Sequence, residues 1–139
     1  MTSSLRSIDE IMTVWDVLTP DERQFLRTNC TVHHFRKNEM IQIEGEIPTH
    51  MMILESGKAK VYKEGVGSRA QIIRMLKPGE HFGYRAIIAN EPYNTNVSAF
   101  EASTVYMIKA DIFISILKNN NAFCYRFLEE LATDLAASD

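Results

Sequence analysis

Leu54-Glu55-Ser56-Gly57-Lys58-Ala59-Lys60-Val61-Tyr62 decides how the rest of the sequence is read. An apolar β-forming run closes on Ser56-Gly57, and a second run opens at Ala59. Glycine between two short strand-like runs marks a tight turn, because it takes positive φ without a Cβ penalty. The same arrangement repeats on both sides. Upstream stand Thr31-Val32-His33-His34-Phe35, Met40-Ile41-Gln42-Ile43 and Met51-Met52-Ile53-Leu54. Downstream stand Ala70-Gln71-Ile72-Ile73-Arg74-Met75, Asn96-Val97-Ser98-Ala99-Phe100 and Thr104-Val105-Tyr106-Met107-Ile108. Lys37-Asn38, Gly45, Gly65-Val66-Gly67 and Lys77-Pro78-Gly79 punctuate them. Short strands with regular turn signals predict a mainly β, antiparallel sandwich or barrel. Gly65-Val66-Gly67-Ser68 falls between two strands and is read as a hairpin tip. A phosphate loop would need a helix after it.

Helical signals flank this core and divide the chain into three parts. Residues 1–30 are expected to form N-terminal helices, 31–110 the β core, and 111–139 C-terminal helices. Thr19-Pro20-Asp21-Glu22 has the form of a capping box with proline at the first helical position. The helix is expected to run to about Thr28 and to bury Phe25 and Leu26. Asp111 is expected to cap a helix through Leu117, with Ile112, Phe113, Ile116 and Leu117 on one face. Asn119-Asn120-Asn121 breaks it. In the last segment, 122–136, Cys124, Leu128, Leu131 and Leu135 recur at steps of four, three and four, the spacing of a helix-pairing seam. Phe123, Phe127 and Leu131 form a second apolar face toward the body. A helix apolar on two faces needs two partners, and a homodimer along the seam is the expected second one.

Charge and composition narrow the function. The 139 residues carry a net charge of −3 without a basic stripe, so the chain itself is not expected to grip DNA phosphates. No apolar run approaches a membrane span, and the N-terminal run is broken by Arg6, Asp9 and Glu10. The expected location is cytoplasmic, with Cys30 and Cys124 as free thiols. No catalytic grouping is visible, and the chain is not expected to be an enzyme. Adjacent His33 and His34 should point to opposite faces of a strand, one at the surface and one half-buried, which discounts a metal pair. The acid pairs Glu44/Glu46 and Glu129/Glu130 are read as solvated charge. No metal ligands and no certain cofactor are assigned.

Glu44-Gly45-Glu46, Leu54 to Val61, Lys77-Pro78-Gly79-Glu80-His81-Phe82-Gly83, Val97-Ser98-Ala99 and Ile108 to Phe113 stand in a fixed order along the chain. In these motifs the chain resembles the cyclic-nucleotide-binding part of the Crp/Fnr family of transcription regulators. The resemblance covers roughly residues 31–136. It implies a double-layer antiparallel β-roll of jelly-roll type, a short helix over a ligand pocket, and a long C-terminal dimerisation helix. In full-length members a DNA-binding helix-turn-helix follows that helix. Any DNA contact is therefore expected from a domain that this sequence does not include.

Members that bind cyclic AMP carry a Gly-Glu pair at the start of the short helix and an Arg-Ser/Thr-Ala triplet soon after. The resemblance assigns the glutamate to the ribose hydroxyl and the arginine to the cyclic phosphate. Here Gly83 is kept, but Tyr84 stands at the glutamate position and Tyr93 at the arginine position, with Asn94 and Thr95 after it. A charge-assisted hydrogen bond is worth about 1.5–3 kcal/mol, so losing both removes about 3–6 kcal/mol, or two to four decades of affinity. Arg85, next to the lost glutamate, either folds inward as a replacement or points to the opposite side. The expected pocket is Phe82, Gly83, Tyr84, Arg85, Tyr93, Asn94 and Thr95, with Met75 alongside. The expected function is effector sensing for a Crp/Fnr-type regulator, through an unidentified small-molecule or nucleotide ligand. A regulatory module of a channel or kinase is the alternative. A cupin-type metalloenzyme is disfavoured because its His-x-His is missing.

Overall fold

A computed structural model of the chain describes residues 8–12, 14–64 and 70–138, with side chains for all of these but 70 and 134–138. The expected hairpin tip at Gly65 to Ser68 lies outside the described residues. Helix α1 (Ile8–Ile11) and a 3-10 turn at Trp15–Val17 lead into α2 (Pro20–Asn29). Both halves of the capping box form. The Glu22 N–H donates to Thr19 Oγ1 at 3.2 Å, and the Thr19 N–H donates to the Glu22 carboxylate at 2.9 Å. Leu26 is buried as expected. Phe25 is not: it is 43% exposed and lines a shallow surface groove with Ser115 and Asn119. Consecutive helical positions lie about 100° apart, so the face that buries Leu26 turns Phe25 outward.

Among the described residues eight strands follow: β1 (Cys30–Phe35), β2 (Met40–Gln42), β3 (His50–Ser56), β4 (Ala59–Glu64), β5 (Ala70–Leu76), β6 (His81–Phe82), β7 (Asn96–Ala99) and β8 (Ser103–Lys109). The two-residue β6 escaped the sequence reading because two residues carry no alternation. The strands make two antiparallel sheets, in the orders β1-β8-β3-β6 and β2-β7-β4-β5. Apart from the β4–β5 hairpin pair, every neighbouring pair is non-consecutive in sequence, which gives the β-roll. In β3, Met51 to Glu55 are all buried, because one face meets the helices and the other faces the roll interior.

Helix α3 (Tyr84–Ala89) crosses between β6 and β7, and α4 (Ala110–Asn119) and α5 (Asn121–Ser138) close the chain. α4 begins at Ala110, one residue before the expected cap. Lys109 occupies the cap position without a side-chain bond, while Asp111 accepts the Ile112 N–H at 2.9 Å. Asn120 both ends α4 and starts α5. Its Oδ1 accepts from the Phe123 N–H at 3.0 Å, and its amide donates to the Val17 carbonyl and the Glu22 carboxylate. Two apolar clusters result. One joins the helices to the first sheet through Met51, Ile53, Ile108, Phe113, Phe123 and Phe127. The other fills the roll through Leu54, Val61, Leu76, Phe82, Val97 and Val105.

Candidate ligand-binding site

One cross-strand row crosses the second sheet from edge to edge. Gln42 pairs with Val97, Val97 with Val61, and Val61 with Arg74. Directly paired residues of antiparallel strands present their side chains on one face. All four line a cleft of about 120 Å³. Above the row, β6 and α3 supply Phe82, Gly83, Tyr84, Arg85 and Ala86, and the loop before β7 supplies Tyr93, Asn94 and Thr95. The seven residues expected from the sequence therefore border a single cleft. Met75 does not: it pairs with Lys60, and its neighbour Arg74 takes the cleft face instead. A register shift in β5, where Val61 faces Arg74 but Tyr62 faces Ile72, sets that parity.

Gly83 takes φ of +81°, and a Cβ there would stand 3.0 Å from Met52 Cε and 3.2 Å from the His50 carbonyl oxygen. The cleft wall can approach the sheet this closely only with glycine at that corner. Both tyrosines are committed to the protein's own framework. Tyr84 is buried, with its ring edge-on to Phe127 at 5.2 Å. The Tyr93 hydroxyl donates to the His50 carbonyl at 3.3 Å, and burial above all pushes its phenol pKa up. Arg85 resolves toward the rim: its guanidinium lies 3.3 Å from Glu91, with the two side chains 42% and 57% exposed.

Sequence reasoning missed Gln42 and Arg74. Gln42 is buried, and its amide N–H groups donate to the Thr95 carbonyl at 3.2 Å and to Thr95 Oγ1 at 3.1 Å. The Thr95 carbonyl can only accept, which fixes the amide and leaves Gln42 Oε1 as the oxygen without a partner. A lone polar residue in the apolar run Met40 to Ile43 was the available signal. Arg74 lies 2.9 Å from Glu80 Oε2, while Glu80 Oε1 accepts the Lys77 N–H at 2.8 Å. Arg74 and Tyr84 also border a second cavity of about 440 Å³ against α5, with Arg126, Glu129 and Glu130 on its helical side.

Glu130 is not simply solvated charge. Its carboxylate meets His81 Nδ1 at 3.1 Å, and the His81 ring packs on Phe127 at 5.1 Å. His33 and His34 are both exposed, against the expected half-burial of one, and each contacts a threonine hydroxyl at 3.1 Å. Cys30 and Cys124 are free and half-buried, and burial raises the Cys30 thiol to about 11. Along the expected seam, Leu128 is 56% exposed and Cys124 half-buried. Leu131 packs against the chain's own core, and the Leu135 side chain lies outside the described residues. Tyr125, 61% exposed, adds to the outer face and was not anticipated.

The sequence model of the cyclic nucleotide-binding domain matches residues 32–120, the span that holds both sheets and the cleft. The chain belongs to the cyclic nucleotide-binding domain family. A cGMP-dependent protein kinase of Plasmodium berghei is 28% identical over 121 residues, covering 87% of this chain and 14% of the kinase. This domain thus spans about a seventh of that relative's length. Among solved structures, the sensor domain of the transcriptional regulator DNR from Pseudomonas aeruginosa superposes with a TM-score of 0.82 at 19% identity. The match covers 97% of this chain and 92% of that one. The Thermus thermophilus catabolite activator protein gives a TM-score of 0.78 at 17% identity, over 91% of this chain and 59% of its own. The β-roll with its C-terminal helix is the fold they share. Among the described residues, no helix is long and apolar enough to cross a membrane.

Proposed function

We propose that this cyclic nucleotide-binding domain is the effector-sensing module of a larger Crp/Fnr-type transcription regulator, with a pocket retuned away from cyclic AMP and cyclic GMP. One observation carries the reading. The cleft and its glycine corner persist, while the two positions that would hold ribose and phosphate are tyrosines engaged with Phe127 and the His50 carbonyl. Neither ring is poised to neutralise an anion. Output would run through α5, which touches the cleft's neighbourhood at His81 and presents Tyr125 and Leu128 outward for a second copy. Ligand acts on such a helix only by favouring one of its packings over another.

Calorimetry of the chain with cyclic AMP and cyclic GMP tests this directly. With two to four decades lost from a micromolar site, dissociation constants of about 0.1–10 mM are expected. Low-micromolar binding of either nucleotide would overturn the retuned pocket. A second reading, a regulatory module of a kinase, is favoured by the 28% identity to the Plasmodium berghei kinase. The parent gene separates the two: a helix-turn-helix beyond Asp139 supports the first, a catalytic kinase domain the second.

A further inference from the structure

The row Gln42–Val97–Val61–Arg74 is polar at both ends and apolar in the middle. Three strand spacings of about 4.8 Å put the end Cα atoms about 14 Å apart. At one end, buried Gln42 Oε1 has no hydrogen-bond partner, and a buried acceptor left unmade is costly. At the other, the Arg74 side chain is 38% exposed and reaches the cleft. Its partner Glu80 is 36% exposed and keeps the Lys77 N–H if Arg74 leaves. An ion pair this accessible to water is weakly held, so Arg74 exchanges partners at little cost. Arg85, the other cation that borders the cleft among the described residues, pairs with Glu91 at the rim and does not belong to the row.

Resting on the reading of this cleft as the effector site, we propose that its effector is a small amphipathic anion. The carboxylate or phosphate of the effector takes Arg74 from Glu80. An apolar body lies over Val61 and Val97, and a hydroxyl or N–H donates to Gln42 Oε1. The cleft volume of about 120 Å³ is near that of a cavity that holds one benzene ring, about 150 Å³. Arg74 and Tyr84 also border the neighbouring 440 Å³ cavity.

The test is calorimetry with 4-hydroxybenzoate, its neutral amide 4-hydroxybenzamide, and benzoate, on the wild-type chain and three variants. We expect 4-hydroxybenzoate to bind at least about tenfold more tightly than the amide, the worth of one charge-assisted hydrogen bond. Arg74→Met should erase that preference, Glu80→Gln should tighten both anions, and Gln42→Leu should weaken 4-hydroxybenzoate but not benzoate. Equal binding of acid and amide by the wild-type chain overturns the anion assignment, and an unchanged preference in Arg74→Met overturns Arg74 as the group that takes the anion; either result keeps the cleft as an effector site. No binding of any probe by wild type or Glu80→Gln overturns both. The acid-against-amide comparison on the wild-type chain still decides the point should Arg74→Met fail to fold.

Discussion

The two sheets of the roll are built from the same short strands and put to opposite uses. In the β1-β8-β3-β6 sheet the helices cover β3, and the face they cover is filled: Phe113, Phe123 and Phe127 are at most 1% exposed, with ring centroids 5.0–6.1 Å apart. The β2-β7-β4-β5 sheet ends its central row in Gln42 and Arg74 and leaves space beside them. A filled face returns packing energy, whereas an unfilled one with an orphaned acceptor gives some up. Stability is thereby concentrated on the helical side, and the roll's other sheet is free to carry recognition.

The largest expected effect tests the filled side. Phe127 touches Phe113, Phe123, His81 and Tyr84, so Phe127→Ala removes the ring that ties α5 to the roll. A loss of about 3–5 kcal/mol in chemical denaturation is expected. A loss below about 1 kcal/mol would mean that α5 contributes little and the contrast between the sheets is false.

Gly57 and Gly83 sharpen the contrast at intermediate size. Both hold positive φ, +92° and +81°. At Gly57 a Cβ would fall onto Ser103 and the Ala102 carbonyl, which are fixed framework. Gly57→Ala should cost about 3 kcal/mol or more, from backbone strain and overlap together. At Gly83 the nearest atom is the flexible end of Met52, so Gly83→Ala should cost about 1–2 kcal/mol. Equilibrium unfolding of the two variants measures the order. The reverse order would place the rigid corner at the cleft instead.

Much of this design was legible in the sequence, and the parts that were not share a cause. Alternation and glycine turns gave seven of the strands close to their bounds, and Thr19 and Glu22 announced a capping box that forms as written. Positions 83–85 and 93–95 could be placed together because the family resemblance, aligned on Gly83, Val97 and Ala99, sets them around one pocket. Arg74 could not, because the register shift in β5 reverses which residues face inward, and no local signal announces a bulge. Gln42 reads as an ordinary polar strand residue until its neighbour Thr95 is known. Phe25 and Glu130 failed in opposite senses, since burial at a helix surface depends on partners far away in the chain.

The smallest expected effect lies where the two faces meet. His50 opens β3, its carbonyl accepts the Tyr93 hydroxyl, and its Nδ1 lies 2.9 Å from Thr49 Oγ1. Burial chiefly, with the positive charges of His33 and Lys109 behind it, lowers the His50 pKa below its ordinary 6.5. The folded chain therefore binds this proton less readily than the unfolded chain. Above pH 6.5 both states are neutral there, and His50 gives stability no pH dependence. As pH falls through 6.5, the unfolded chain is protonated first and stability declines, levelling off once the folded imidazole is also charged. His50→Gln should flatten this acid-side decline of the melting temperature while leaving the neutral-pH value nearly unchanged. An equal decline in the variant would remove His50 from the account and make the seam between the faces insensitive to acid at this position.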